Sequence, residues 1–351
     1  MSNTAESPME FSEVDYDDHV PWIEKYRPQT LNDLASHADI KSTLEKFMRT
    51  GSLPHLLFHG PPGTGKTSTI LACARKLYEP QQFGQMVLEL NASDDRGIDI
   101  VRGTILNFAS SRGMYSNSKF KLVILDEAEQ MTNDAQSALR RIIEKYTDNA
   151  RFCLITNYLN KIIPAIQSRC TRFRFGPLSP EQILPRMDLI IKHEAIEITD
   201  DGREAIHELC QGDMRRVVNL LQSCSMSFHG QVIDEVKVYQ CCGHPLKSDI
   251  NKMVDLLLTQ DIKTAYKEIQ RLRIDKGLAL QDIMTQVSRR LSELSLPQRV
   301  KMHIHIRLAD IEYHLNSGGS EKIYLSAMIS AFQAAGRTKK WAALQILCSP
   351  E

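Results

Sequence analysis

Gly60-Pro61-Pro62-Gly63-Thr64-Gly65-Lys66-Thr67 decides the fold of this chain, because it matches GxxxxGK[ST] in full. It follows the apolar run Leu56 to Phe58 and precedes Ser68 to Leu77, a stretch able to form a helix, which is the context the motif demands. The glycines let backbone amides turn toward a β-phosphate, and a helix N-terminus adds positive potential. Lys66 reaches the β and γ oxygens, and Thr67 offers its hydroxyl to Mg2+. Strand, phosphate loop and helix in this order open an α/β nucleotide-binding domain.

Four more short apolar runs follow, at Met86 to Leu90, Leu122 to Leu125, Phe152 to Ile155 and Phe173 to Phe175. Stretches able to form helices, such as Asp134 to Lys145, separate most of them. Strand alternating with helix predicts a parallel sheet covered on both faces. Beyond Phe175 the strand-like runs stop. Gly176 to Glu181 reads as a linker ending in a helix start, with Ser179 at the N-cap and Pro180 at the first helical position.

Residues 181 to about 240 then read as a small helical domain. A break at Cys242-Gly243-His244-Pro245 opens a second helical block. Its apolar faces are Ile250, Met253, Val254, Leu257, Leu258; Leu280, Ile283, Met284, Val287, Leu291; Ile304, Leu308, Ile311, Leu315; and Leu325, Met328, Ile329, Phe332, at helical spacings of three and four. The expected organisation is a disordered acidic leader at 1–19, a P-loop domain at 20–178, a helical lid at 179–242 and an all-helical domain at 243–351.

Lys121 to Glu127 predicts a buried strand ending in two acids. Carboxylates at the C-terminal end of a parallel strand face the ligand crevice. There Asp126 can orient a Mg2+ shell and Glu127 can polarise an attacking water, so Glu127 is the main reason to expect hydrolysis. Asn157, after Phe152 to Thr156, could hold the water or the γ-phosphate, although an Asn there is also a common turn residue. Arg215, in Gly212-Asp213-Met214-Arg215-Arg216, reads by itself as a solvated helix charge.

The chain has 43 Lys plus Arg and 43 Asp plus Glu, a formal charge of zero. Zero speaks against a polyanion-binding protein only until it is read along the chain. Residues 1 to 20 hold six acids and no Lys or Arg, leaving the rest at a formal +6. Basic stretches stand out at 96–121 (Arg96, Arg102, Arg112, Lys119, Lys121, with one acid) and at 149–180 (Arg151, Lys161, Arg169, Arg172, Arg174, with none). Eight cysteines without CxxC spacing read as reduced thiols of an intracellular protein. No apolar run approaches the length of a membrane helix.

The phosphate loop, the Asp126-Glu127 strand end and Ser168-Arg169-Cys170 together resemble the AAA+ clamp loaders. Trp22 to Pro28, Asn91 to Gly97 and Phe152 to Cys170 resemble in particular the small subunits of eukaryotic replication factor C, as does the block from Gly243 to Asp249. The resemblance covers about 21 to 335. It implies a P-loop AAA+ domain with a parallel sheet, a helical lid and a helical collar, acting on ATP with Mg2+. The segment Val20 to Pro28, with Val20 and Arg27, would border the adenine. Asn157 and Arg215 would sense the γ-phosphate, and Arg169 would be an arginine finger reaching the ATP of the adjacent subunit. Arg96, Gly97, Ile98 and Arg102 would contact DNA backbone phosphate. Implied partners are the other replication factor C subunits in a heteropentamer, a PCNA-type sliding clamp and primer-template DNA, in the nucleus and not at a membrane. Two alternatives stay open: a nucleotide-stabilised scaffold subunit that supplies a finger to its neighbour, and another AAA+ remodelling ATPase.

Overall fold

The computed structural model describes residues 20–34, 37–94, 99, 101–111 and 120–336. The expected leader at 1–19 and Arg96, Gly97 and Ile98 lie outside the described residues. The chain forms two compact units, Met1–Glu197 with Ile206–Gln222, and Ile198–Ala205 with Ser223–Glu351. Among the described residues no helix is long and apolar enough to cross a membrane.

The first unit begins with α1 (Trp22–Lys25), α2 (Ala38–Thr50), β1 (Leu56–His59), α3 (Lys66–Leu77), α4 (Pro80–Met86) and β2 (Val87–Asn91). A π-helical turn at Val101–Ile105 leads into α5 (Leu106–Ser110), then β3 (Lys121–Asp126), α6 (Asn133–Lys145), β4 (Ala150–Thr156), α7 (Pro164–Gln167), β5 (Thr171–Arg174) and α8 (Pro180–His193). All strand pairs are parallel, in the order β2-β3-β4-β1-β5. The apolar runs sort by the two-residue period of a strand. Leu56, Phe58, Leu122 and Ile124 enter one core with Leu44, Ile70 and Phe175; Leu57, Val123, Leu125 and Leu154 enter the other with Leu139 and Ile143. Burial on both faces is why these strands read as unbroken apolar runs. Each fully buried Leu, Ile or Phe contributes about 1.5–3 kcal/mol relative to exposure.

The fifth strand differs from expectation. It spans Thr171–Arg174, not Phe173 to Phe175, because β5 is an edge strand with Arg172 and Arg174 exposed. Apolar content there marks packing, not pairing: Phe175 is buried and its N–H still donates to the His59 carbonyl at 2.8 Å. The start of α8 matches its sequence signature, with Ser179 and Gln182 forming a reciprocal capping box and Pro180 in the first turn.

Next come α9 (Asp200–Cys210) and α10 (Met214–Ser227), which carry residues of both units. The second unit continues with α11 (Glu235–Cys242), ended by Gly243 in the left-handed conformation. It is completed by α12 (Lys247–Thr259), α13 (Ile262–Lys276), α14 (Leu280–Glu293), α15 (Gln298–Asn316) and α16 (Glu321–Gly336). The four expected apolar faces lie on α12, α14, α15 and α16 and share one core, with Leu258 and Leu315 partly buried at its edge. Helix α13 has no such face; only Ala265 and Ile269 are buried on it.

Candidate nucleotide site

Register places the site. β3 pairs with β4 up to Leu125 opposite Leu154, and β1 pairs with β4 up to His59 opposite Thr156. Asp126, Asn157 and Gly60 therefore leave the sheet along one edge, at the carboxyl ends where parallel sheets bind ligands. Gly60 sits at φ +149°, and a Cβ there would overlap the Phe175 carbonyl. The loop then turns into the N-terminus of α3, which begins at Lys66.

Residues Pro62 to Ser68, Asp126, Glu127, Asn157 and Arg215 line one cavity, together with Ile23, Tyr26, Arg27, Pro28, Leu178, Arg186, Met214 and Val218. Lys66 is buried, and its Nζ donates to the Gly60 and Pro61 carbonyls at 2.8 Å and to Asn157 Oδ1 at 3.0 Å. Burial pushes its ammonium down to about 8, opposed by the Asp126 and Glu129 carboxylates and reinforced by Arg215. Thr67 Oγ1 donates to Asp126 Oδ2 at 2.7 Å. This hydroxyl and carboxylate, adjacent at the α3 N-terminus, are a hard oxygen pair that suits Mg2+.

Glu127 has φ +50°, a left-handed conformation that costs a non-glycine residue about 1–3 kcal/mol and clusters at functional sites. Its N–H donates to Asp126 Oδ1 at 2.8 Å, tying the Asp126 carboxylate to the Glu127 backbone. The start of α10 reaches the loop through Asp213 and Met214. The Met214 N–H donates to the Gly63 carbonyl at 3.2 Å, and Asp213 Oδ1 accepts from the Arg215 and Arg216 N–H groups. Gly63, at φ +67°, has no room for a Cβ beside the Asp213 carboxylate.

At the other end of the cavity, Arg186 is buried and donates to the Tyr26 carbonyl at 2.6 Å. Glu194 accepts from the Tyr26 hydroxyl and pairs with Lys25 at 2.8 Å. The segment after Val20 is thereby held against α8, with Ile23, Tyr26 and Pro28 as an apolar wall. Val20 itself stands outside the lining residues. The sequence reading missed Glu129, Arg186, Glu194 and Asp213. Only Asp213 carried a local signal, an acid in an N-cap position.

Arg169 lies away from this cavity. Although its own stretch of sequence, 149–180, holds no acid, Arg169 pairs with Glu144 of α6 at 2.5 Å and donates to the Ala165 carbonyl. The acid comes from another element, so no acid-free window around residue 169 could reveal it. Both basic stretches are also thinner than their composition. Lys121 is buried, donating to the Phe108 and Ser111 carbonyls, and Arg151 donates to the Leu53 and Thr147 carbonyls. Arg102, Arg172 and Arg174 are exposed.

Fold and site together define a P-loop ATPase of the AAA class. Residues 56–178 match the ATPase family associated with various cellular activities (AAA), 14–96 the Rad17 P-loop domain and 245–331 the replication factor C C-terminal domain. Human replication factor C subunit 5 is 59% identical over 315 residues, covering 90% of this chain and 92% of that protein. Replication factor C subunit 3 of Schizosaccharomyces pombe is 52% identical over 90% of this chain and 91% of its own length, and that of Saccharomyces cerevisiae 47% over 91% and 94%. The chain belongs to the replication factor C subunit family. The Thermotoga maritima RuvB Holliday junction branch migration motor has the same fold, with TM-score 0.51 at 16% identity over 78% of this chain and 94% of that one.

Proposed function

We propose that this chain is a subunit of a heteropentameric clamp loader that opens a PCNA-type sliding clamp and places it on primer-template DNA in the nucleus. The observation that carries the reading is that Lys66, Thr67, Asp126, Glu127, Asn157 and Arg215, spread over 150 residues of sequence, line one cavity, while Arg169 stands outside it. Such a site binds ATP but is one cation short for transfer of the γ-phosphoryl group.

In this reading the adenine lies against the Ile23, Tyr26 and Pro28 wall and the phosphates against the loop and the α3 N-terminus. Lys66 exchanges its carbonyl partners for β and γ oxygens. Thr67 and Asp126 hold Mg2+, which when bound neutralises charge on the β- and γ-phosphates. Glu127 accepts the proton of the attacking water, and Asn157 and Arg215 address the γ-phosphate. Arg169 leaves Glu144 to reach the nucleotide of an adjacent subunit. Exposed Arg102, with Arg96, Gly97 and Ile98, meets DNA phosphates without reading sequence. We assign residues 20–178 to the ATPase domain, 179–242 to the lid and 243–351 to a collar joining the subunits.

The test is clamp loading by the reconstituted complex carrying Glu127→Gln or Arg169→Ala in this chain. Loss of loading with Glu127→Gln supports hydrolysis here as part of the work. Full loading with Glu127→Gln and none with Arg169→Ala would instead make the chain a nucleotide-stabilised scaffold.

A further inference from the structure

Asp126-Glu127-Ala128-Glu129 carries two carboxylates beyond the strand end, and the backbone sends them to different places. The left-handed turn at Glu127 starts a 3-10 turn at Ala128–Gln130. Glu127 lines the cavity. Glu129 folds back beneath the end of β4, is 8% exposed, and accepts the Asn157 N–H on Oε1 at 3.0 Å.

That N–H needs such a partner. The β3–β4 ladder ends at Leu125 opposite Leu154, so Asn157 has run past its neighbour strand, and an unmatched amide there costs about 1–3 kcal/mol. The other carboxylate oxygen, Oε2, is buried with no hydrogen-bond partner among the described residues. Leaving half of a buried carboxylate unmatched is expensive, and packing alone would favour an apolar or amide side chain. Meanwhile the Asn157 side chain accepts from Lys66, so an unbroken chain of contacts runs from Glu129 through Asn157 to the phosphate-loop lysine. The Glu129 charge also acts on Lys66.

We infer that Glu129 is a positioning residue for hydrolysis: by holding the Asn157 backbone it fixes where the Asn157 amide stands when Lys66 leaves it for phosphate. The inference rests on Asn157 acting at the γ-phosphate, as proposed above. Glu127 and Glu129 belong to one 3-10 turn, so that turn sets both the carboxylate proposed to activate water and the anchor of Asn157. Positioning of this kind acts on turnover more than on binding, because the loop and α3 grip the phosphates independently of Asn157. A displacement of about 1 Å can cost on the order of 100-fold in rate.

The experiment measures ATP turnover in the assembled complex, with the phosphate-loop lysines of the other subunits substituted so that this site alone is read. Asn157→Ala, Glu129→Ala, Glu129→Gln and the Asn157→Ala/Glu129→Ala pair are compared. Both alanine variants are expected to lose about 10- to 100-fold in kcat with KM within about threefold. The pair is expected to be no worse than either, as for groups acting through one another. Glu129→Gln, which keeps an acceptor oxygen, is expected to return to within about threefold of the parent; an unfolded variant would show instead as lost nucleotide affinity. If Asn157→Ala is impaired while Glu129→Ala turns over normally, or if the glutamine and alanine variants are equally impaired, the inference is overturned and the function stands. Full turnover by Asn157→Ala overturns the reading of that residue and the inference with it.

Discussion

Lys66 donates from Nζ to Asn157 Oδ1 at 3.0 Å, joining the phosphate loop to the end of β4. With Gly60 and Pro61 accepting its other two protons, all three ammonium donors are used inside the protein. In the proposed function, nucleotide binding exchanges these neutral acceptors for anionic phosphate oxygens, which adds the attraction of opposite charges to the hydrogen bond. Lys66→Ala is expected to weaken ATP binding about 100-fold, read by titrating a fluorescent ATP analogue; affinity within threefold of the parent would remove Lys66 from the phosphate site.

Thr67 and Asp126, 2.7 Å apart, predict a strict dependence on a divalent cation. Chelating Mg2+ should abolish hydrolysis, and Asp126→Asn should lower it by at least about 100-fold at saturating Mg2+. A Mg2+ titration of turnover decides the point, and an Asp126→Asn enzyme with an unchanged Mg2+ curve would place the metal elsewhere.

Gly63 meets Asp213 at the start of α10, where there is no room for a methyl group. Gly63→Ala must push the Asp213 carboxylate away and also holds alanine at φ +67°, costing about 1–3 kcal/mol of stability. Thermal unfolding should show the loss and nucleotide titration a weaker site. An alanine variant as stable as the parent would mean that α10 is not held against the loop.

His55 is buried, with Nδ1 accepting the Phe152 N–H at 3.2 Å. Burial, helped by Arg151, lowers its pKa from 6.5 to about 4. The unfolded chain therefore takes up a proton that the folded chain refuses. The His55 contribution to stability is full above pH 6.5 and is lost as pH drops toward 4, on the order of 3 kcal/mol in all. Denaturant melts at pH 7 and pH 4.5 should show a smaller drop for His55→Gln than for the parent. Equal drops would assign the acid sensitivity to other groups.

Much of the molecule is legible in its sequence where one physical cause dominates. Leu122 to Leu125 is apolar because it is buried on both faces, Ser179-Pro180 marks a helix start through its own hydrogen bonds, and Gly60 to Thr67 is read from backbone requirements alone. What stays hidden depends on elements meeting in space. Helix α13 has too few buried residues to show a period, and Phe175 is apolar although β5 ends before it. Glu144 answers Arg169 from α6. Lys121 counts as a basic surface charge until its carbonyl partners are seen, and Glu129 looks like one more acid until Asn157 is placed above it.

In the proposed function this ATPase site is completed by a neighbour. An arginine finger is worth about 10³ to 10⁵ in rate, and none of the residues lining this cavity is Arg169. The most direct measurement is single-turnover ATP hydrolysis at saturating nucleotide, by the isolated chain and by the complex in which only this site is intact. The isolated chain should be slower by about 10³-fold or more. Equal rates would contradict the account.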